Sequence, residues 1–301
     1  MTVVFLGTSG FADIVLERLL ASPHVVTGVV SAPPRPSGRG GKGADPPAAR
    51  RAEARGIPLL RPARWDDDAI AWVERRGAER LVVADYGKLI PVDRLPEALN
   101  VHPSLLPRWR GAAPVPRAIL AGDEEIGVSV MRLVPEMDAG PVYGQRTIPA
   151  GREANAGTLL ETLAREGAAL LLDLLPEIQA GVAVARPQDE RGVSFAPKLT
   201  PQEEWVSPEE VGVEDFIRRV RALSPSPSLK IRFQESALAV LKARPTDEDA
   251  GVAPGQIEAV GGRPVLGLGH GQAELVEVRP AGRRPMAGDA FVNGYLQRRG
   301  S

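Results

Sequence analysis

Four apolar residues in a row, Val3-Val4-Phe5-Leu6, lie near the start of the chain and break at Gly7-Thr8-Ser9-Gly10. A short continuous apolar run closed by a glycine turn predicts a strand buried on both faces. The period then changes, and residues 11–20 repeat their apolar positions at helical spacing. A second buried-type run follows at 25–30, a short one at 57–60 and another at 81–84. Helical patterns occupy 46–55 and 66–75, the latter opening on Asp66-Asp67-Asp68, acids that favour a helix N-terminus over a metal site. This β-α-β-α alternation predicts an α/β fold with a Rossmann-like, doubly wound, mostly parallel sheet. Such sheets bind ligands beyond the C-terminal ends of their strands.

Further strands are expected at 99–102, 127–133 and 142–148. A long helix is expected at 158–179, with Leu159, Leu160, Leu163, Leu170, Leu171, Leu174 and Leu175 on its apolar face. Residues 186–201 mix proline, charge and polar side chains without periodicity, which suits a linker. Beyond them comes a helix at 211–223, then short runs at 230–233, 238–243, 255–260, 264–268 and 273–278, punctuated by glycine. Five short strands at that spacing predict a small OB-like β-barrel. The expected organisation is a catalytic domain over 1–185, a linker over 186–203 and a second domain over 204–301.

At 301 residues, the chain has room for two domains. Cysteine is absent, which removes disulfides, thiolate nucleophiles and cysteine-held metals, and fits a reducing, cytoplasmic setting. The three histidines, His24, His102 and His270, are too scattered for a metal site. Net charge is −1, yet residues 31–64 hold eight basic side chains against two acidic ones. A local excess of that kind can steer a phosphate-rich partner. Residues 31–45, rich in proline, glycine and arginine, read as a loop. From residue 201 onward, 13 basic and 14 acidic residues nearly cancel, so a nucleic-acid role there needs a sorted face.

The turn at 7–10 lacks the third glycine of a dinucleotide fingerprint, which disfavours a nicotinamide enzyme. The densest chemistry lies in Asn100-Val101-His102-Pro103-Ser104-Leu105-Leu106-Pro107-Arg108-Trp109-Arg110-Gly111-Ala112-Ala113-Pro114. Asn100 and His102, two apart on a strand, share a face and can both address a carbonyl oxygen. A polar strand end is the commoner explanation of such a pair. Asp138, in Glu136-Met137-Asp138-Ala139-Gly140 between two expected strands, could supply a carboxylate to an imidazole. Spacing alone does not join it to His102. Trp65 and Trp72 read as packing residues, His24 as a surface turn residue and His270 as a hairpin tip.

Taken together, these stretches resemble the folate-dependent formyltransferases, and among them the branch acting on methionyl-tRNA. The likeness spans nearly the whole chain. It is carried by residues 5–12, by Arg35-Pro36-Ser37-Gly38-Arg39-Gly40, by residues 100–114, by Met137-Asp138-Ala139-Gly140, and by the segments 195–200 and 279–286. The chain departs from the usual pattern at Ser9, Pro34, Gly41 and Ser224-Pro225-Ser226-Pro227. The resemblance implies 10-formyltetrahydrofolate as formyl donor, no metal, and Asn100, His102 and Asp138 as the catalytic trio. It implies that Ser104, Leu105, Leu106 and Pro107 line the folate pocket, with backbone contacts to the pterin from Tyr86 and Gly87. Arg35, Arg39 and Lys42 would meet the acceptor arm of initiator methionyl-tRNA, and the C-terminal barrel its backbone. It implies a cytoplasmic monomer with no obligate protein partner. Competing readings are a sugar-nucleotide amine N-formyltransferase with the same donor, a folate hydrolase, and a non-catalytic tRNA-binding protein.

Overall fold

In a computed structural model, which describes residues 1–34, 44–246 and 250–297, the first apolar run lies in strand β1 (Thr2–Gly7). Val3, Val4, Phe5 and Leu6 are all fully buried. Apolar side chains on both faces of a strand need cover on both sides, which alternating helices supply. In chain order follow α1 (Gly10–Leu20), β2 (Val25–Val30), α2 (Pro47–Ala54), β3 (Leu59–Leu60), α3 (Asp67–Glu74), β4 (Arg80–Ala84), β5 (Ala98–His102), β6 (Arg110–Gly111), α4 (Pro114–Ala121), β7 (Glu125–Arg132), β8 (Val142–Pro149), α5 (Ala156–Gln179) and β9 (Phe195–Ala196). The main sheet runs β3-β2-β1-β4-β5-β7-β8. Its first five strands are parallel, while β7 and β8 are antiparallel to their neighbours. The expected mostly parallel, doubly wound sheet forms, and its order reverses between β1 and β4, where such sheets open a ligand crevice.

Local chemistry starts the helices. The Ser9 hydroxyl accepts from the Ala12 amide at the head of α1, and Asp66 accepts from the Ala69 amide at 3.0 Å at the head of α3. Asp66-Asp67-Asp68 is thus a helix start, as read. Trp65 and Trp72 are packing residues, half-buried against the core around Val4, Leu6 and Tyr86. Trp65 lies outside the helix, though, and meets the Tyr86 ring edge-on at 6.1 Å. His24 departs from a simple surface residue: it is half-buried, Nδ1 has no partner among the described residues, and burial pushes its pKa down. Part of the basic stretch is neutralised internally. Arg51 pairs with Asp13 and Glu17, and Arg61 with Asp45 and Glu53.

The chain forms two compact units, one of residues 1–114, 125–149 and 160–197, the other of residues 115–124, 150–159 and 198–301. A cut at 185 and 203 does not follow these bounds. Residues 186–197, expected as linker, are bound into the first unit. Arg186 exchanges both backbone hydrogen bonds with Val142, and β9 pairs in parallel with β6. Neither β6 nor β9 is visible in the sequence pattern, because a two-residue strand carries no period and exists only through its partner.

In the second unit come α6 (Val213–Leu223), β10 (Leu229–Phe233), β11 (Ser236–Pro245), β12 (Ile257–Val260), β13 (Arg263–Gly267), β14 (Gln272–Pro280), β15 (Met286–Ala287) and α7 (Gly288–Phe291). The strands form an antiparallel sheet in the order β10-β11-β14-β13-β12, with β15 paired to β14. His270 sits between β13 and β14, exposed, at the hairpin end expected for it. Phe216, Val220 and Leu223 are the buried stripe of α6.

A bidentate ion pair ties Arg117 of α4 to Glu203, at 2.5 and 3.1 Å, and Glu203 also accepts from the Thr200 amide and hydroxyl. These bonds hold the Glu203 carboxyl down at about 2, against 4.5 for a free glutamate. The stabilisation is therefore complete above the free value and is lost as pH falls toward 2. Replacing Glu203 by Gln is expected to cost about 1 kcal/mol at pH 7, a small figure because a third of the side chain faces solvent. Urea unfolding of both proteins should show the gap closing between pH 5 and pH 2. A gap independent of pH would assign the loss to shape rather than charge.

Candidate active site

β5 presents alternate residues to opposite faces, so Asn100 and His102 point the same way. Both are buried, at 8% and 5% exposure. Their strand ends on the ligand side of the sheet, where the loop 103–109 begins. That loop is organised by Ser129, which stands opposite His102 on β7 and is fully buried. The Ser129 hydroxyl donates to the Ser104 carbonyl at 2.6 Å and accepts from the Leu106 amide at 3.1 Å. The Gln145 amide donates to the same hydroxyl and to the Leu106 carbonyl. Ser104 and Leu106 are buried, while Leu105 and Pro107 are partly exposed. The four residues expected along a folate pocket thus form one held segment directly after His102.

The loop between β7 and β8 brings in Asp138, 38 residues beyond Asn100. The Asp138 carboxylate meets three groups. It accepts from the Gly111 amide at 2.9 Å through Oδ2 and from Asn100 Nδ2 at 3.5 Å through Oδ1. His102 Nδ1 lies 3.7 Å from Oδ2. The last distance exceeds a hydrogen bond. Asp138 adopts a left-handed φ of 50°, which aspartate tolerates better than most residues. Gly140 is required here: a Cβ at that position would stand 1.8 Å from the Arg132 carbonyl oxygen. The close approach folds the loop back over the sheet.

His102 Nε2 lies 2.9 Å from the Trp109 carbonyl oxygen. A carbonyl can only accept, so Nε2 carries the proton and Nδ1 is the atom turned to Asp138. Asn100 gives one amide proton to Asp138 and keeps a second for a ligand. The site therefore holds a buried amide donor, an imidazole with its tautomer set, and a carboxylate beside both.

Across the switch point, the Thr8 amide donates to the Asp85 carbonyl at 3.2 Å. Asp85 and Gly87 have positive φ, and a Cβ built on Gly87 would meet nothing within 4 Å. That leaves open space before the backbone at the end of β4. The Tyr86 ring is packed into the core, its hydroxyl lacks a partner among the described residues, and burial pushes its pKa up to about 12. Only the main chain of Tyr86 faces away from the core, and its carbonyl accepts from the Thr8 hydroxyl at 3.4 Å. Arg35, Arg39 and Lys42 lie outside the described residues.

Sequence reasoning missed Gly111 as an amide donor to Asp138, Ser129 and Gln145 beneath the loop, and Gln188 and Ser194 in the supposed linker. Ser129 and Gln145 carried a faint signal as polar residues inside strand patterns. Gln188 carried none.

Residues 1–175 match the family described as formyl transferase, and residues 198–296 its C-terminal domain. The methionyl-tRNA formyltransferase of Halorhodospira halophila is 37% identical over 97% of this chain and 96% of its own. That of Clavibacter sepedonicus is 40% identical over 95% of this chain and 94% of its own. Among solved structures, the N-formyltransferase of Helicobacter canadensis in complex with folinic acid and dTDP-3-aminofucose has a TM-score of 0.69 at 15% identity, over 91% of this chain and 98% of that one. At that identity the likeness speaks for the fold alone.

Proposed function

The chain belongs to the formyl transferase family, and from that membership we propose that it transfers the formyl group of 10-formyltetrahydrofolate to the α-amine of methionyl-tRNA, in the cytoplasm and as a monomer. The observation that carries the reading is the convergence of Asn100, His102 and Asp138 at the ligand end of β5, in a chain related along its length to enzymes of that name. The nucleophile is the substrate's own amine, so the protein needs no serine or cysteine for attack.

Bound 10-formyltetrahydrofolate supplies the formyl carbon and, in N10, the leaving nitrogen. Asn100 donates its free amide proton to the formyl oxygen as negative charge grows there. One preorganised donor of this kind contributes about 3–4 kcal/mol. His102 reaches the same oxygen through Nε2 by exchanging the Trp109 carbonyl for it. Asp138 keeps the imidazole oriented and, with it, takes the proton the attacking amine loses and returns one toward N10 as the C–N10 bond breaks. Ser104, Leu105, Leu106 and Pro107, with the Tyr86 and Gly87 backbone, hold the folate so that amine and formyl carbon meet in attack geometry.

For the acceptor, Arg35, Arg39 and Lys42 supply cations suited to the phosphates of the acceptor arm. In the second unit, strand register sorts a further face. Lys230, Ala239 and Arg279 form one cross-strand row, and Arg232 stands with Ala237 in the next. Within it Lys230 is already paired with Glu204 and Arg279 donates to the Ser228 hydroxyl, so the free charge lies elsewhere. Arg232, Arg283 and Arg284 are exposed and make no ion pair among the described residues. Replacing Arg283 and Arg284 together by Ala is expected to raise KM for methionyl-tRNA and to flatten the log–log salt dependence of tRNA binding by about 2. Folate affinity should not move. An unchanged salt slope would remove these residues from the tRNA face.

The deciding experiment mixes the protein with 10-formyltetrahydrofolate and methionine-charged initiator tRNA and follows labelled formyl onto the aminoacyl-tRNA. Transfer that disappears in His102→Ala supports both reaction and site. Folate binding without transfer would move the acceptor to a nucleotide-linked amino sugar.

A further inference from the structure

We propose that Gln188 is a positioning residue for Asp138, acting through a closed hydrogen-bonded ring that also includes Arg110 and Gly111. The proposal rests on the formyl-transfer reading of the site.

Gln188 lies in the stretch whose sequence reads as linker, yet its side chain is fully engaged. Nε2 donates to the Asp138 carbonyl at 2.7 Å and to the Gly140 carbonyl at 2.8 Å. Oε1 accepts from Arg110 Nε at 3.0 Å. The Arg110 guanidinium is buried and donates a second bond to Glu190 at 2.9 Å. A guanidinium has no acceptor, so it can face only the oxygen end of the amide. Arg110 thereby fixes which way Gln188 points, and the two amide protons must face the carbonyls. Residue 110 is joined by one peptide bond to Gly111, whose amide holds the Asp138 carboxylate. The ring closes: Asp138 is gripped at its side chain by Gly111 and at its main chain by Gln188, and both grips are anchored in residues 110–111.

The loop needs such a hold. Asp138 sits at positive φ, Gly140 passes against the Arg132 carbonyl, and the carboxylate must stay aligned on two side chains of β5. Without Gln188, two carbonyls lose their donor and one edge of the ring opens. The carboxylate then samples positions away from His102, and catalysis suffers while the folate segment at 104–107 is untouched.

The test is Gln188→Glu in the full-length protein, assayed for transfer with wild type alongside. Glutamate keeps the volume and the oxygen facing Arg110 but removes both donors and sets an oxygen against two carbonyls. We expect kcat to fall about 10- to 100-fold, with the dissociation constant of 10-formyltetrahydrofolate within threefold of wild type. The double variant Gln188→Glu/Asp138→Asn should be no slower than Asp138→Asn alone, because the residues act as one unit. Arg110→Lys keeps a charge but loses the Nε donor that orients the amide. It should show the same fall in kcat at constant folate affinity, and it serves where Gln188→Glu folds poorly. A wild-type kcat in Gln188→Glu, or losses that multiply with Asp138→Asn, would overturn the proposal. If wild-type protein itself transfers no formyl group, the functional reading fails instead.

Discussion

Asp138→Asn should lower kcat for formyl transfer by about 10²- to 10⁴-fold, with folate binding nearly unchanged. The substitution preserves shape. An asparagine Oδ1 still accepts from the Gly111 amide, now at 2.9 Å from Oδ2 of the aspartate. That oxygen is also the atom facing His102 Nδ1 at 3.7 Å, so the new amide nitrogen takes the Oδ1 place and sets a donor against Asn100 Nδ2, while His102 Nε2 keeps its proton for the Trp109 carbonyl. The imidazole stays in place through the Trp109 carbonyl, but the carboxylate that takes part in moving the amine's proton is gone. Loss therefore falls on the step in which the amine gives up its proton, not on holding the substrates. Single-turnover transfer of labelled formyl, beside a folate-binding titration, separates the two. A variant that binds folate and turns over at the wild-type rate would remove Asp138 from the mechanism.

The same residues show how far the sequence alone reaches. That Asn100 and His102 share a face follows from strand alternation, a rule needing only the residues between them. The buried run at 3–6 and the acids at 66–68 are local in the same sense, and each stands where it was expected. Asp138 is different. Its approach to β5 depends on Gly140 passing the Arg132 carbonyl, on the Gly111 amide, and on Gln188 reaching back from 50 residues further along. No period encodes these contacts, so only the resemblance of whole segments joined Asp138 to His102. The segment 186–197 shows the same limit. Its prolines and charges look like solvent-exposed chain, yet Arg186, Gln188, Ser194 and Ala196 all bond to the loops that carry the site. Polar residues that bond to backbone satisfy themselves without leaving an apolar pattern.

The second large effect is expected at Asn100. Asn100→Ala should reduce kcat by about 10²- to 10³-fold, leaving KM for methionyl-tRNA little changed. The side chain is 8% exposed and its one bond within the site, to Asp138, is long at 3.5 Å. A long bond contributes little to folding, so the truncation should cost modest stability. Its other amide proton is what the reaction uses, because charge on the formyl oxygen is greatest in the transition state and small in the bound substrate. Loss of that donor therefore lowers kcat and kcat/KM together, the signature of an interaction made only in the transition state. Asn100→Asp sharpens the test. It is close in shape but lacks the donor and adds a second carboxylate beside Asp138, so activity should fall below that of Asn100→Ala. Near-wild-type kcat in Asn100→Ala would instead assign the formyl oxygen to His102 Nε2, released from the Trp109 carbonyl, and Asn100 would be left with the orientation of Asp138 as its task.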